Sequence, residues 1–513
     1  MTPHVQAETV PPLTARQWGT IAVLTGAVML LAIDGTVLSL AVPRLTADLA
    51  PSATELLWIG DVYSFVLAGL LVTMGNVADR IGRRRLLLIG STGFGLASLL
   101  AAFAPTAGVL IAARVFLGLF GATIMPSTLS ILRDVFRHPL QRTRAIAVWS
   151  AGATGGAAVG PLVGGFLLEH FWWGSVFLIN LPVMAIVIVA GLLVLPESRG
   201  NADARIDAVS ALLSIVAIVP IVYAVKHLAA QGFDVTVVLT ALVGAAAGWV
   251  FVRRQRRLAT PLIDISLFRI PAFTGAVLAN GIAIFALAGL LFFFSQYLQL
   301  VRGLSPLIAG LVELPATIMS VLVALVAVAI VKRLGAGCSI ATGLTLGGGG
   351  LALVGFAAGQ EGIHWILIGV SVAGLGIGLA MTLSTDAIVS AAPVERAGAA
   401  SAISETAYEL GVAMGIALLG SLQTVFYRWL LQTPSGLDDA IAAQVRESLP
   451  IGLKALDETV AIQAEAAHLA REAFTSGVQT TAVVAAVLLI VAALTAWKLI
   501  PSQRPQEAPS KTT

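Results

Sequence analysis

Residues 75–85 read Gly75-Asn76-Val77-Ala78-Asp79-Arg80-Ile81-Gly82-Arg83-Arg84-Arg85, a basic stretch set between apolar runs at roughly 55–77 and 85–105. An apolar run of about 20 residues crosses a bilayer as a helix rising about 1.5 Å per residue. A short arginine-rich connection between two such runs stays on the cytoplasmic side, where Lys and Arg accumulate. The same pattern continues in both directions. Runs at roughly 18–42, 55–77, 85–105, 108–130, 144–168 and 173–195 form a first set of six, closed by the polar break at 196–203. Two more, at 206–227 and 234–252, end at Arg253-Arg254-Gln255-Arg256-Arg257. Six follow near 270–300, 305–331, 336–358, 362–388, 398–429 and 477–499, for fourteen spans in all.

Composition agrees. Of 513 residues, 58% are hydrophobic and 11% charged, with mean hydropathy +0.94; a soluble protein carries about 25% charged residues. This is an all-α integral membrane chain, not a soluble enzyme or a disordered polymer. A single cysteine, Cys338, provides no disulfide framework and no Cys-based metal site. The six histidines are scattered, and no Walker A sequence or nucleophile elbow occurs. No cofactor, metal or nucleic-acid partner is expected.

Charge sets the orientation. With the N-terminus inside, 22 of the 30 Lys and Arg fall on the cytoplasmic side; seven, including Arg44, Lys226 and Arg428, fall outside, and Arg114 lies within a span. That bias places both termini in the cytoplasm. The first 17 residues lack a basic signal region, so span one is expected to be retained. The expected organisation is a tail at 1–17, a six-helix bundle at 18–197, an inserted pair with linkers at 198–257, and a second bundle at 258–499. A second cytoplasmic tail follows at 500–513. A long outer loop at 430–476 is expected to form a helical hairpin, with Asp438-Asp439 capping one arm, Pro450 and Gly452 breaking it, and Leu453 to Ala473 as the amphipathic other arm.

The chain also repeats itself. Val331-Lys332-Arg333-Leu334-Gly335, between spans ten and eleven, is a reduced copy of residues 75–85. Gly156, Gly160-Pro161 and Gly164-Gly165 in span five correspond to Gly411, Gly415 and Gly420 in span thirteen. Repeated halves around a central site are a transporter architecture.

The intramembrane acids carry the sharpest chemical signal, because such residues usually face the protein interior and carry function. They are Asp34, Asp61, Glu313, Asp386, Glu405 and Glu409. Asp34 stands alone in the outer half of span one. Asp61 sits near the outer end of span two beside Tyr63. Glu313 lies about 12 Å along span ten from Ser305. Glu405 and Glu409 share a face of span thirteen, with Tyr408 between them. Asp61 and Asp386 also read as solvated helix ends. Arg114, the one basic residue inside a span, is the candidate partner for one of these acids. A carboxylate balanced between burial and a nearby arginine exchanges a proton, and when ionised attracts a lipophilic cation. Phe292, Phe293, Phe294 and Tyr297 read mainly as lipid-facing or core residues.

These motifs resemble the major facilitator superfamily, in particular its 14-spanner drug:proton antiporters and, within them, quaternary-ammonium-compound exporters. The resemblance rests on Gly75–Arg85, on Ala32-Ile33-Asp34-Gly35-Thr36-Val37 through Pro43, and on Arg114 with Gly118 and Gly121. Gly156–Gly165 and His170–Pro182 complete it. It implies a fold of six, two and six spans, and proton-coupled efflux of cationic drugs such as quaternary ammonium antiseptics, dyes and biguanides. It implies a bacterial inner membrane location and a monomer driven by the proton gradient alone. Asp34, with Arg114 and Glu313, is then the proton-coupling set; relatives carry a functional acid further down span ten, where this chain has apolar and small residues. Asp61, Tyr63, Glu405, Tyr408 and Glu409 are the cation-binding set. Gly75, Asp79, Arg80, Gly82 and Arg83 form a conformational latch or a plain topology anchor. Gly156, Gly160, Pro161 and Gly164 form a bend that seals the closed state, or ordinary close packing. A narrow exporter of one antibiotic or metabolite is the alternative within the class; a membrane receptor or lipid-handling protein is the alternative outside it.

Overall fold

The computed structural model describes residues 13–136, 138–199, 207–258, 261–393 and 396–502. Fourteen helices among them are long and apolar enough to cross a membrane. The first six are α1 (Ala15–Leu49), α2 (Ala53–Ile81), α3 (Arg83–Ala102), α4 (Ala107–Val135), α5 (Leu140–His170) and α6 (Ser175–Val194). The inserted pair is α7 (Ala208–Gln231) and α8 (Val235–Gln255). The second set begins with α9 (Pro271–Val301), α10 (Pro306–Leu334), α11 (Ala336–Ala358), α12 (His364–Ala391) and α13 (Ala399–Leu430). Two short helices, α14 (Asp439–Glu447) and α15 (Leu449–Ala455), precede the last span, α16 (Ala461–Leu499).

Several helices run past their apolar cores because the flanking residues cap them. Thr14 with Gln17, and Ser52 with Glu55, each form a reciprocal capping box that satisfies otherwise orphaned backbone donors. The connection expected over 75–85 shrinks to one residue. Helix α2 continues through Gly75 to Ile81, and Gly82 alone turns the chain, at φ +114°. Gly335 does the same between α10 and α11, at φ +80°. Residues with a Cβ avoid this left-handed region, so each turn requires glycine. The two sequence copies thus produce the same one-residue turn. Gly75, by contrast, is an ordinary helical residue with Pro126 as its nearest neighbour.

Glycine faces set the packing within each half. Gly156, Gly160 and Gly164 of α5 press against Met29, Thr36 and Val37 of α1, too close for a Cβ. Gly411 and Gly415 of α13 press in the same way against Gly281, Ile284 and Phe285 of α9. The contacts between halves are paired as well. Against α10, a Cβ at Gly165 would lie 2.7 Å from Leu307 Cα, and one at Gly310 would lie 2.5 Å from the Pro161 carbonyl. Between α2 and α13, a Cβ at Gly60 would lie 3.1 Å from Ile416, and one at Gly420 would lie 2.5 Å from Leu57. Gln299 of α9 donates to the Leu40 carbonyl of α1 at 3.1 Å. All these cross-half contacts lie toward the face opposite the arginine-rich turns, so the structure is closed on its outer side.

The outer segment differs from the expected hairpin. Asp438 caps α14 by accepting from the backbone of Ala440 and Ile441. Pro450 does not break a helix but sits in the first turn of α15, where its missing N–H costs nothing. Of the stretch expected over Leu453 to Ala473, Leu453–Ala455 close α15, residues 456–460 are not helical, and the part from Ala461 is no separate arm but runs unbroken into the last span as the 39-residue α16. Helices α7 and α8 pack on each other, and α7 packs on both α2 and α13, so the inserted pair lies at the seam between halves.

Candidate functional site

The site begins on α1. Asp34 is 3% exposed and meets Arg114 of α4, whose Nη1 donates to Oδ2 at 3.1 Å. Asn180, at the start of the main segment of α6, donates from Nδ2 to Asp34 Oδ1 at 2.8 Å and to Ser98 Oγ of α3 at 3.0 Å. Arg114 is itself buried; its Nε donates to the Ile59 carbonyl at 3.2 Å, and its guanidinium lies 4.7 Å from the centre of the Tyr63 ring. Gly118 and Gly121 make this approach possible. A Cβ at Gly118 would lie 2.6 Å from the Tyr63 carbonyl, so α4 can come this near α2 only without one. Burying an ion pair removes two charges from water, and the carbonyl and amide partners offset part of that cost.

Across the midline, α13 presents Glu405, Tyr408 and Glu409, all half-buried. Tyr63 lies within electrostatic range of Asp34, Arg114, Glu409 and Tyr408 together, and Glu409 approaches Ser64. The fold therefore brings Asp34, Tyr63 and Arg114 of one half within electrostatic range of Tyr408 and Glu409 of the other, with Glu405 beside them on α13. Glu313 of α10 is buried with Ser295 of α9 as its polar neighbour, and no ion pair reaches it among the described residues. It does not join Arg114. Asp386 is exposed on α12. Phe292, Phe293, Phe294 and Tyr297 are core residues rather than lipid-facing ones.

Asp61 is no solvated helix end. It is fully buried, and Lys226 of α7 sits 2.7 Å from its Oδ2 and 2.9 Å from its Oδ1. Counting Lys226 as an outer-loop cation is therefore wrong, and Arg114 is not the only basic side chain inside the membrane region. Lys226 stands near the outer end of an apolar run, and only the packing of α7 against α2 shows which way it points. Asn180, which bonds Asp34, lies within the approach to span six, but a lone amide there has no periodicity to mark it as that partner.

The arginine-rich motif at 75–85 makes its contacts within the first half. Arg83 lies 2.7 Å from Asp79 and also pairs with Asp134 of α4. Arg80 is exposed. The backbone N–H of Arg83 donates to the Ser198 carbonyl at 2.9 Å, which ties the α2–α3 turn to the linker after α6. No group of three or more potential metal ligands occurs among the described residues.

Residues 24–416 match the Major Facilitator Superfamily. The chain belongs to that superfamily. It is 46% identical over 479 residues to the multidrug efflux pump LfrA of Mycolicibacterium smegmatis, a match spanning 93% of this chain and 95% of that protein. It is 40% identical over 438 residues to the methyl viologen resistance protein SmvA of Salmonella typhimurium, spanning 85% and 88%. Among solved structures, a bacterial homolog of the human lysosomal transporter Spinster, inward-facing and unoccupied, superposes with TM-score 0.65 at 16% identity. That match covers 97% of this chain and 100% of that one, and it speaks to the fold alone. This superfamily member is thus a multi-pass membrane transporter rather than an enzyme.

Proposed function

We propose that this protein is a proton-coupled exporter of lipophilic organic cations: quaternary ammonium antiseptics, flat cationic dyes and biguanides. It works as a monomer in a bacterial inner membrane. The observation that carries the reading is the convergence of the Asp34–Arg114–Asn180 cluster and the Glu405–Tyr408–Glu409 face on Tyr63. The acids of α13 draw a cation into a water-poor space, and the rings of Tyr63 and Tyr408 offer it π faces. Protonation of Asp34 leaves Arg114 without its counter-charge, and the freed positive charge repels a bound cation. Loss of that proton restores the pair. Exchange thus follows from competition within one electrostatic cluster. A proton entering down 100 mV contributes about 2.3 kcal/mol, and each pH unit adds about 1.4 kcal/mol. The bundles at 18–197 and 258–499 rock against each other, with the pair at 198–257 between them. The names of the relatives support the reading: one is a multidrug efflux pump, and the other confers resistance to methyl viologen, itself an aromatic dication.

The test uses everted vesicles with a respiration-driven proton gradient reported by a pH-sensitive dye. Tetraphenylphosphonium or ethidium discharges the gradient through the wild type and not through Asp34→Asn. Discharge that survives in Asp34→Asn moves the coupling to another acid. No discharge by any cation overturns cation export.

A further inference from the structure

Lys226 is placed as a ligand would be. Its ammonium lies 2.7 and 2.9 Å from the two oxygens of Asp61 and 3.7 Å from the centre of the Trp58 ring. Trp58 lies against Phe65, with ring centres 6.4 Å apart, and the surrounding apolar wall includes Leu410 and Met414 of α13. A carboxylate, an aromatic face and a greasy wall are what recognise an alkylammonium ion, whose cationic head binds a π face and whose chain needs apolar contact. Lys226 is itself an alkylammonium: a four-carbon stem with a charged head.

The location matters as much as the chemistry. Phe65 and Leu410 lie beside Ser64 and Glu409 in sequence, so the cage occupies the neighbouring flank of the same two helices that carry the central site. Helix α7 covers it through Ile218, Val219 and Val222. The inserted pair therefore supplies both the cover and the occupant.

We propose that Asp61 and Trp58 form a second cation site, lateral to the central one and specific for alkylammonium ions, which Lys226 fills as a tethered internal competitor. An external cation occupies it only when the Lys226 head leaves. An ammonium bound on this flank stands one helix face from Glu409, so the site is a lateral antechamber to the Asp34–Tyr63–Glu409 cluster. The proposal rests on the cation-export reading only in the choice of probe.

The full-length protein in lipid nanodiscs is dialysed to equilibrium against radiolabelled hexyltrimethylammonium. Lys226→Ala is expected to bind one equivalent more than the wild type. Lys226→Ala with Asp61→Asn returns to the wild-type value, and Lys226→Arg, which keeps the tethered cation, never gains the extra equivalent. No gain in Lys226→Ala overturns the proposal, as does a gain that persists when Asp61 is neutralised. If alanine prevents folding, Lys226→Gln, which keeps a hydrogen bond to Asp61, is measured on the same criteria. The difference between variant and wild type decides this proposal. Wild-type binding of no cation at all counts against the export reading and leaves that difference intact.

Discussion

Neutralising Asp34 strips a buried arginine of its counter-charge, and the structure sets the size of the effect. The pair is 3.1 Å apart, with Asp34 3% and Arg114 2% exposed. At an effective dielectric constant of about 20, the attraction is about 5 kcal/mol. Removing one partner of a buried pair costs about 3–5 kcal/mol, mostly through the orphaned charge. Asp34→Asn leaves Arg114 its bond to the Ile59 carbonyl and its place over Tyr63, and the amide oxygen still accepts from Asn180. These contacts put the expected loss at the lower end, about 3 kcal/mol. Arg114→Met orphans the carboxylate and carries a similar penalty. The double variant orphans neither charge and should lie within about 1 kcal/mol of the wild type, because a buried pair and a well-packed apolar pair are often nearly equal in stability. Reversible unfolding in mixed detergent micelles measures all four proteins, and gradient discharge in everted vesicles measures transport. Stability returns in the double variant and transport does not. The reasoning fails if Asp34→Asn unfolds within about 1 kcal/mol of the wild type, or if the double variant shows the sum of the two single losses.

Three further outcomes follow from the geometry. Gly160→Ala drives a methyl group into Thr36 and should destabilise by about 1–3 kcal/mol, with Thr36→Ala restoring most of the loss; an unchanged thermal midpoint, or no rescue, contradicts the close packing of α1 and α5. Gly82→Ala forces a side chain into φ +114° and towards Glu197, and should lower stability by about 1–3 kcal/mol, whereas Gly75→Ala, inside α2, should cost almost nothing by the same measurement. Glu447 of α14 accepts from the backbone N–H of Ala53 at 2.9 Å and pairs with Arg428 of α13 at 3.1 Å, bridging the two halves on the outside. Glu447→Ala removes about 1.5–3 kcal/mol from the outer-closed state, a shift of roughly tenfold or more. On a Cys338→Ser background, Leu57→Cys should then react several-fold faster with an impermeant maleimide added outside, and an unchanged rate removes Glu447 from the gate.

Much of the architecture was legible because a bilayer imposes a length and a composition on each span, and charge bias imposes a direction. The repeat was legible at Gly82 and Gly335 because only glycine serves at their backbone angles. Arg114 was legible as a partner for one of the intramembrane acids, since few charges lie in the apolar runs, but the structure alone shows that the acid is Asp34. Asp61 was not legible as a paired acid. Its partner is 165 residues away on a helix from outside the six-plus-six repeat, and nothing local to Lys226 separates a buried ammonium from a solvated one. Asn180 was hidden for a similar reason: it serves two other helices rather than its own.

The amino-acid sequence by itself determined that this chain spans a membrane fourteen times, that it folds as two related halves around an insertion, and that it carries acids and one arginine at membrane depth. Those properties are local or periodic, and hydropathy, charge bias and glycine geometry encode them. Only the tertiary structure decided that Asn180 completes the Asp34 cluster, that Lys226 fills the space beside Asp61 and Trp58, and that the outer side is closed. Each of those depends on which faces of distant helices meet, and the direction a side chain takes across a helix interface is set by packing rather than by its neighbours in the chain.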